Sequence, residues 1–268
     1  MADLNPVALW RNLLALPNES RTKTLAVAFA VSTVCAVVVS GAAVILGPIQ
    51  QANLAAEQAA RMEEMLASMP EMAALIEEAG GDSLEKIVVD LRTGQIADDV
   101  DPETFDAAAA RDDPETSTVL SAEEDIAGIG RRPDLVPIHV LREAGQLRLV
   151  ILPISGAGYQ SVIRANLALE GDLNTVAAFS VTEQGETPGL GARIEEPAWQ
   201  ALWPGKHLVG LEGDIRLDVV RGRATTEFEI DGITGATRTG NGITNAVHFW
   251  LGPNGFGPVL DNLARGEL

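Results

Sequence analysis

The sequence predicts an α+β protein, in which a single N-terminal transmembrane helix is followed by a domain of helices and an antiparallel sheet. Two observations predict this class: an apolar run from Leu25 to Leu46, and strand-like segments separated by glycine-bearing turns from Val136 onward. Strands and helices do not alternate as they do in a doubly wound parallel sheet. The 268 residues allow an anchor with one sizeable domain or two small ones.

The apolar run LAVAFAVSTVCAVVVSGAAVIL, residues 25–46, contains no charged residue and predicts the transmembrane helix. As a helix it extends about 33 Å, enough to cross a hydrocarbon core of about 30 Å. A cleaved signal peptide is the alternative. A retained helix is favoured because the run is longer than a typical signal core and the helical pattern continues past Gln50.

The charges that flank the run predict its orientation. Arg11, Arg21 and Lys23 precede it, whereas the next basic residue after it is Arg61. Positive charges favour the cytoplasmic side, so residues 1–24 are expected in the cytoplasm and residues 47 onward outside it. In a bacterium this arrangement predicts a protein of the inner membrane with a periplasmic domain.

Composition excludes several classes of function. The formal net charge is −19 and no basic cluster in the sequence offsets it, which argues against nucleic-acid binding. Cys35 is the only cysteine, so the chain lacks the thiolates for a disulfide, an iron–sulfur cluster or a structural zinc site. The three histidines are far apart in sequence and predict no metal site.

Residues 47–135 are predicted to connect the anchor to the main domain. Residues 49–79 show helical periodicity, with a break expected at Pro70 and a stop at Gly80-Gly81. A short strand is predicted at Lys86–Leu91. The acidic stretch Asp98–Asp125 is predicted to be a solvated loop with a helical turn.

Residues 136–268 are predicted to form the main domain, with strands separated by short turns and two short helices. The predicted strands are PIHVLRE, LRLVILPI, ANLALEG, Thr175–Glu183, His207–Leu211, Ile215–Val220 and Glu227–Ile230, and the predicted helices are Pro197–Leu202 and Thr244–Leu251.

The segment DGITGATRTGNG, residues 231–242, follows a predicted strand and precedes a helical stretch. Small residues at Gly235 and Ala236 allow close approach of a ligand, and backbone N–H groups at a strand-to-helix turn suit a phosphate. The segment is neither a P-loop nor a dinucleotide fingerprint. On the residues alone, turn and helix-capping roles explain Asp231 and Thr234 better than ligand binding does.

The same segment resembles the flavinylation motif D-x-x-(S/T)-G-A-T of bacterial membrane flavoproteins. Every motif position is present, as Asp231, Thr234, Gly235, Ala236 and Thr237. The resemblance implies that Thr237 carries FMN through a phosphoester, and that a flavin transferase installs it from FAD.

Three further segments resemble the C subunit of the sodium-translocating NADH:quinone oxidoreductase, so that the resemblance covers nearly the whole chain. They are ALEGDLNTV at 168–176, GETPGLGARIEEPAWQALWPGK at 185–206 and WLGPNGFGPVLDNL at 250–263. The resemblance implies a redox subunit with a covalent FMN-binding domain that relays electrons toward quinone among partner subunits. The NADH and quinone sites are then expected on those partners.

The segment Glu186-Thr187-Pro188-Gly189-Leu190-Gly191 has two interpretations. Pro-Gly specifies a tight turn, which explains the segment structurally. By resemblance, Glu186, Thr187, Gly189 and Leu190 belong to the cofactor site, with Leu190 or backbone amides against the isoalloxazine ring. No catalytic acid or base is expected, because electron transfer requires none.

Two alternatives remain open at this point. The first is the G subunit of an Rnf-type, ferredoxin-linked complex, which shares the flavin motif. The second is an anchored assembly module without redox activity, in which the motif is degenerate.

Overall fold

The computed structural model describes residues 15, 17, 20–67, 84–210 and 212–268. Helix α1, Arg21–Ala67, contains the one stretch of these residues that is long and apolar enough to cross a membrane, Arg21–Gly47, with a mean hydropathy of 2.4. The predicted span lies inside this stretch, and the helix continues past Gln50 as expected. The break at Pro70 and the stop at Gly80-Gly81 fall outside the described residues.

Residues 84–268, here called the sheet domain, follow in a mixed order of strands and helices. In chain order the elements are β1 (Leu84–Asp90), β2 (Gln95–Ile96), α2 (Ala107–Asp112), β3 (Ser117–Val119), β4 (Arg131–Pro133), β5 (Leu135–Glu143), β6 (Gln146–Ala157), β7 (Val162–Glu170), β8 (Val176–Glu183), a 3₁₀ helix (Gly191–Glu195), α3 (Pro197–Gln200), β9 (Asp218–Val219), β10 (Glu229–Ile230), α4 (Thr237–Leu251) and α5 (Gly257–Arg265).

A six-stranded antiparallel sheet, in the order β2-β1-β5-β6-β7-β8, forms the centre of the domain. The α+β class predicted from the sequence is therefore confirmed. Strands β1 and β2 lie in the region expected to be a connection, at residues 47–135, yet β1 pairs with β5 along its whole length. The acidic stretch at residues 98–125 contains α2 and β3 in addition to loops.

Three of the predicted strands differ from the structure. Over residues 207–210 the predicted strand is wrong, because only isolated bridges form there, between Thr175 and His207 and between Val209 and Ile215. The strands predicted at residues 215–220 and 227–230 are reduced to β9 and β10, which pair in parallel with each other outside the main sheet. The segments around residues 207–220 are held by isolated bridges and side-chain contacts, which the alternation of apolar and polar residues in the sequence does not predict.

Helix α4 packs against β6 and begins at Thr237, seven residues before the predicted start at Thr244. Gly240 and Gly242 lower the helix propensity of this segment, which is why the sequence predicts a later start. The packing of α4 on β6 stabilises the helix in spite of this low propensity. A Cβ at Gly242 would lie 2.3 Å from the carbonyl oxygen of Ala157, so the missing side chain lets the helix lie directly on the strand.

The core of the sheet domain contains the three tryptophans Trp199, Trp203 and Trp250. All three are buried, and the ring of Trp203 stacks on Phe179 with 3.9 Å between centroids. The indole N–H of Trp199 donates to the carbonyl oxygen of Asp231 (2.8 Å). This bond fixes the chain just before the segment that leads into α4.

Candidate functional site

Thr237 is the first residue of α4 and is half-buried at the surface of the domain. The preceding residue, Ala236, occupies the capping position and supplies no side-chain hydrogen bond to the helix. The first N–H groups of a helix have no partner within the helix, and they carry a partial positive charge. The start of α4 therefore offers uncapped donors next to the Thr237 hydroxyl, an arrangement that suits a phosphate.

Gly235 and Leu190 bring two distant segments of the sequence together at this helix start. Gly235 has φ +83°, a left-handed conformation that glycine adopts without strain. A Cβ placed there would lie 3.2 Å from Cδ2 of Leu190. Leu190 itself is 44% exposed, an unusually open position for a leucine outside α1. A solvent-facing apolar side chain therefore lies beside the motif.

Three threonines near the helix start differ sharply in accessibility. Thr234 is exposed in the turn, whereas Thr239 is buried, with 2% of its surface accessible. The hydroxyl of Thr239 donates to Oε2 of Glu186 at 2.6 Å and is therefore already engaged. Thr237, between them, combines partial exposure with a position at the uncapped end of the helix.

Glu186 is buried, and its carboxylate holds the loop at residues 158–161 against α4. Its two oxygens accept hydrogen bonds from the backbone N–H groups of Tyr159 (3.1 Å), Gln160 (2.9 Å) and Ser161 (3.2 Å), and from Thr239. Burial alone would raise the pKa of this carboxyl, but these four hydrogen bonds outweigh it and hold the pKa below its usual value. Glu186 is therefore charged at neutral pH and fully occupied by protein donors.

The other members of the turn shape the loop. The carbonyl oxygen of Thr187 accepts from the N–H of Leu190 (3.1 Å), and its hydroxyl accepts from the side-chain amide of Gln160 (3.1 Å). Gly189 has φ +75°, as the predicted Pro-Gly turn requires. The turn thereby presents Leu190 outward beside Gly235.

Asp231 holds the segment that precedes Thr237. One of its carboxylate oxygens accepts from the N–H of Ala224 at 2.7 Å, which connects the motif to the loop after β9. The oxygen of a side-chain amide could accept the same bond. The position of Asp231 is therefore structural as far as the described contacts go, and a role in recognition by a transferase stays a prediction.

Two residues at the site were not found from the sequence. Tyr159, the only tyrosine of the chain, is 56% exposed, and the guanidinium carbon of Arg238 lies 5.6 Å from its ring centroid. Arg238 could have been predicted as a site residue, because it directly follows Thr237 in the sequence. Tyr159 could not have been predicted as a site residue, because only the fold brings the loop after β6 to the start of α4.

Two surface clefts, with volumes of about 680 and 700 Å³, lie elsewhere, around Arg216 and Phe228. Neither contains a predicted site residue. Thr237 itself is partly exposed.

Comparison with known proteins defines the class of this domain. Residues 158–252 match the family model of the FMN-binding domain, a range that includes the Glu186 turn, the Asp231–Thr237 motif and all of α4. This part of the chain is therefore an FMN-binding domain.

The relatives identify the family. The C subunit of the Na(+)-translocating NADH-quinone reductase of Pseudomonas aeruginosa is 41% identical over 256 residues, covering 93% of this chain and 98% of the relative. The corresponding subunit of Yersinia pestis is 40% identical over 94% of this chain and 96% of the relative. The crystal structure of Shewanella oneidensis NqrC matches with a TM-score of 0.70 and 29% identity, over 79% of this chain and 99% of that one. This chain belongs to the NqrC family, the C subunits of the Na(+)-translocating NADH-quinone reductase.

Proposed function

We propose that this chain is the C subunit of a sodium-translocating NADH:quinone oxidoreductase and that it carries FMN as a phosphoester on the Thr237 hydroxyl. Family membership and the FMN-binding range support the cofactor and the complex. The observation that carries the attachment site is the position of Thr237, partly exposed at the uncapped start of α4, within a complete motif.

The residues around Thr237 fit the two ends of FMN. The N–H groups at the start of α4 suit the phosphate, and the absence of a side chain at Gly235 lets Leu190 lie beside the motif. The exposed Leu190 offers apolar surface for the ring. FMN supplies the one- and two-electron chemistry when bound, and the protein holds it in a fixed place and prevents its loss.

The relatives favour this assembly over the alternatives. The G subunit of an Rnf-type complex shares the motif, but the relatives aligned over nearly the whole chain are NqrC proteins. An assembly module with a degenerate motif has no support, because all five motif residues are present and the domain matches a flavin-binding family.

We place the sheet domain in the periplasm and the N-terminus in the cytoplasm of a bacterial inner membrane. The apolar stretch Arg21–Gly47 supplies the single span, and the basic residues Arg11, Arg21 and Lys23, before and at its N-terminal end, support the orientation. Electrons then pass between this FMN and cofactors on neighbouring subunits. A flavin transferase acting on the periplasmic side would install the FMN.

Mass spectrometry of the full chain, produced together with a flavin transferase, tests the attachment. Tryptic cleavage after Arg223 and Arg238 gives the peptide 224–238, which contains Thr225, Thr226, Thr234 and Thr237 and leaves Thr239 on the next peptide. We expect an added mass of FMN less water on this peptide.

Two variants assign the adduct to one threonine. Thr237→Val keeps the shape of the side chain and should abolish the adduct, whereas Thr234→Val should retain it. The opposite pattern, or an unmodified wild type beside a transferase shown to be active on another substrate, would refute the assignment. Asp231→Asn should retain the fold, and normal flavin incorporation in this variant would remove the proposed role of Asp231 in recognition.

A further inference from the structure

Three exposed arginines of the sheet domain, Arg221, Arg223 and Arg238, have no carboxylate oxygen of the described residues within 4.0 Å. Arg131 also lacks one but donates to the carbonyl and hydroxyl oxygens of Ser117. The arginines that do lie that close to a carboxylate are Arg92, Arg111, Arg132, Arg142, Arg148, Arg164, Arg193, Arg216 and Arg265. The three exposed arginines therefore differ from the other arginines of this domain, which contact a carboxylate or, for Arg131, the oxygens of Ser117.

Strand β9 leads toward the first residue of α4. Asp218, at its start, faces the last part of the helix, with 2.9 Å between its Oδ1 and Nε2 of His248. Val219, the next residue, already lies against the first part, because a Cβ on Gly240 would be 3.1 Å from its Cγ1. The strand therefore runs antiparallel to the helix, and the chain leaves it at the Thr237 end.

The loop after β9 carries Arg221 and Arg223 to this end of the helix. The carbonyl oxygen of Gly222, between the two arginines, accepts from the N–H of Gly232 at 2.8 Å. The residue after Arg223 donates its N–H to the carboxylate of Asp231 at 2.7 Å. Both bonds hold the loop against the beginning of the segment that ends at Thr237.

Two carboxylates accept hydrogen bonds from the residues that follow Arg223. Asp231 accepts from the N–H of Ala224, and Glu229 accepts from the N–H and hydroxyl of Thr225 at 2.6 and 2.9 Å. Neither carboxylate lies within 4.0 Å of Arg221 or Arg223. The positive charges of the loop therefore remain available for a ligand.

Arg238 is held beside the first turn of α4 by an aromatic contact. Its guanidinium lies over the ring of Tyr159, and the N–H of Tyr159 donates to the same Glu186 carboxylate that accepts from Thr239. The contact anchors the guanidinium next to the helix start. Arg238 therefore lies in the first turn of α4, and Arg221 and Arg223 lie in the loop that is bonded to the segment leading into it, in a chain whose net charge is −19.

We propose that Arg221, Arg223 and Arg238 form the binding site for the phosphate groups of the flavin nucleotide that is joined to Thr237. Guanidinium groups bind phosphate oxygens by paired, charge-assisted hydrogen bonds, and a strongly acidic protein otherwise repels a dinucleotide anion. The inference rests on the proposed function. It adds the residues that admit and hold the phosphate, none of which belongs to the flavinylation motif.

The attachment step balances with FAD as the donor. The Thr237 oxygen forms a bond to the phosphorus that carries riboflavin, and the anhydride bond of FAD breaks. AMP leaves with the bridging oxygen, and the hydroxyl proton is released to the transferase or to solvent. The arginines act on the negative charge of both phosphates during this exchange, and on the single charge of the phosphodiester that remains.

The rate of flavin attachment, followed by intact mass in the full chain with purified transferase and FAD, tests this site. The triple variant Arg221→Gln, Arg223→Gln, Arg238→Gln should react about tenfold more slowly at low salt, the lower range of electrostatic steering. The difference should largely vanish near 1 M salt, where the screening length falls to about 3 Å. The corresponding triple lysine variant should recover most of the rate.

The matched control is Arg92→Gln, Arg148→Gln, Arg265→Gln, which changes the net charge equally at arginines already paired with acidic residues. This control should react at the wild-type rate. Equal rates for the two triple variants would overturn the inference while leaving the attachment to Thr237 intact. A normal attachment rate combined with slower electron transfer to the complex would also overturn it, and would assign the arginines to an acidic partner surface. An unmodified wild type would instead refute the proposed function.

Discussion

Replacing Glu186 by Gln should destabilise the sheet domain by about 2–4 kcal/mol, although the two side chains have the same shape. Oε1 accepts from Gln160 and Ser161, and Oε2 accepts from Tyr159 and Thr239. Whichever oxygen becomes the amide nitrogen, two donors lose their acceptor. A buried donor without a partner costs about 1–3 kcal/mol, and the loss of the charge weakens the remaining bonds.

Chemical unfolding of the full chain in detergent, followed by tryptophan fluorescence, measures this difference. The folded-state pKa of Glu186 is lowered, so its charge stabilises the fold above the ordinary pKa of about 4.5, and this contribution is lost as pH falls through the lowered value. The gap between wild type and Glu186→Gln should therefore be full at pH 7 and shrink below about pH 4.5. A gap under 1 kcal/mol at pH 7, or one that grows on acidification, would refute the role of this carboxylate as the clamp between the 158–161 loop and α4.

Further predictions concern packing and pH. Gly242→Ala should cost about 1–3 kcal/mol or more, because its Cβ would meet the carbonyl oxygen of Ala157 at 2.3 Å. Gly240→Ala should change stability by less than about 1 kcal/mol, because its Cβ would lie 3.1 Å from Cγ1 of Val219, which is a side-chain atom and not backbone. Trp203→Ala should cost about 3–5 kcal/mol, and Trp203→Phe clearly less, since the buried indole N–H makes no hydrogen bond to the described residues. Burial lowers the pKa of His139 from 6.5, so wild-type stability should fall as pH drops below about 6.5, and His139→Gln should lose that part of the pH dependence. Denaturant unfolding series at matched pH check all three, and equal stability of the two glycine variants would contradict the close helix–strand contact.

The strands of the main sheet were predictable because their apolar residues alternate and their turns contain glycine. The segments PIHVLRE and LRLVILPI fall within β5 and β6 for this reason. The start of α4 was not predictable from local preference. Two glycines near its beginning disfavour a helix in isolation, and only the approach of Ala157 explains why the chain has glycine at position 242.

The site shows the same division between local and distant information. The motif ending at Thr237 is continuous in the sequence, so it could be found without a structure. The bonds of Glu186 to residues 25–27 positions earlier and 53 positions later depend on the fold. The proposed phosphate site of Arg221, Arg223 and Arg238 also depends on the fold, because no run of basic residues in this acidic sequence indicates it.

The proposal that FMN on Thr237 carries electrons from NADH toward quinone is tested in the assembled complex. The wild-type chain is compared with Thr237→Val, by following NADH-driven quinone reduction and the visible absorbance of oxidised flavin on this subunit. We expect the wild-type subunit to carry a flavin that bleaches with NADH and is reoxidised by quinone. The variant should assemble without this flavin and lose coupled quinone reduction, whereas a variant complex that reduces quinone at the wild-type rate would contradict the proposal.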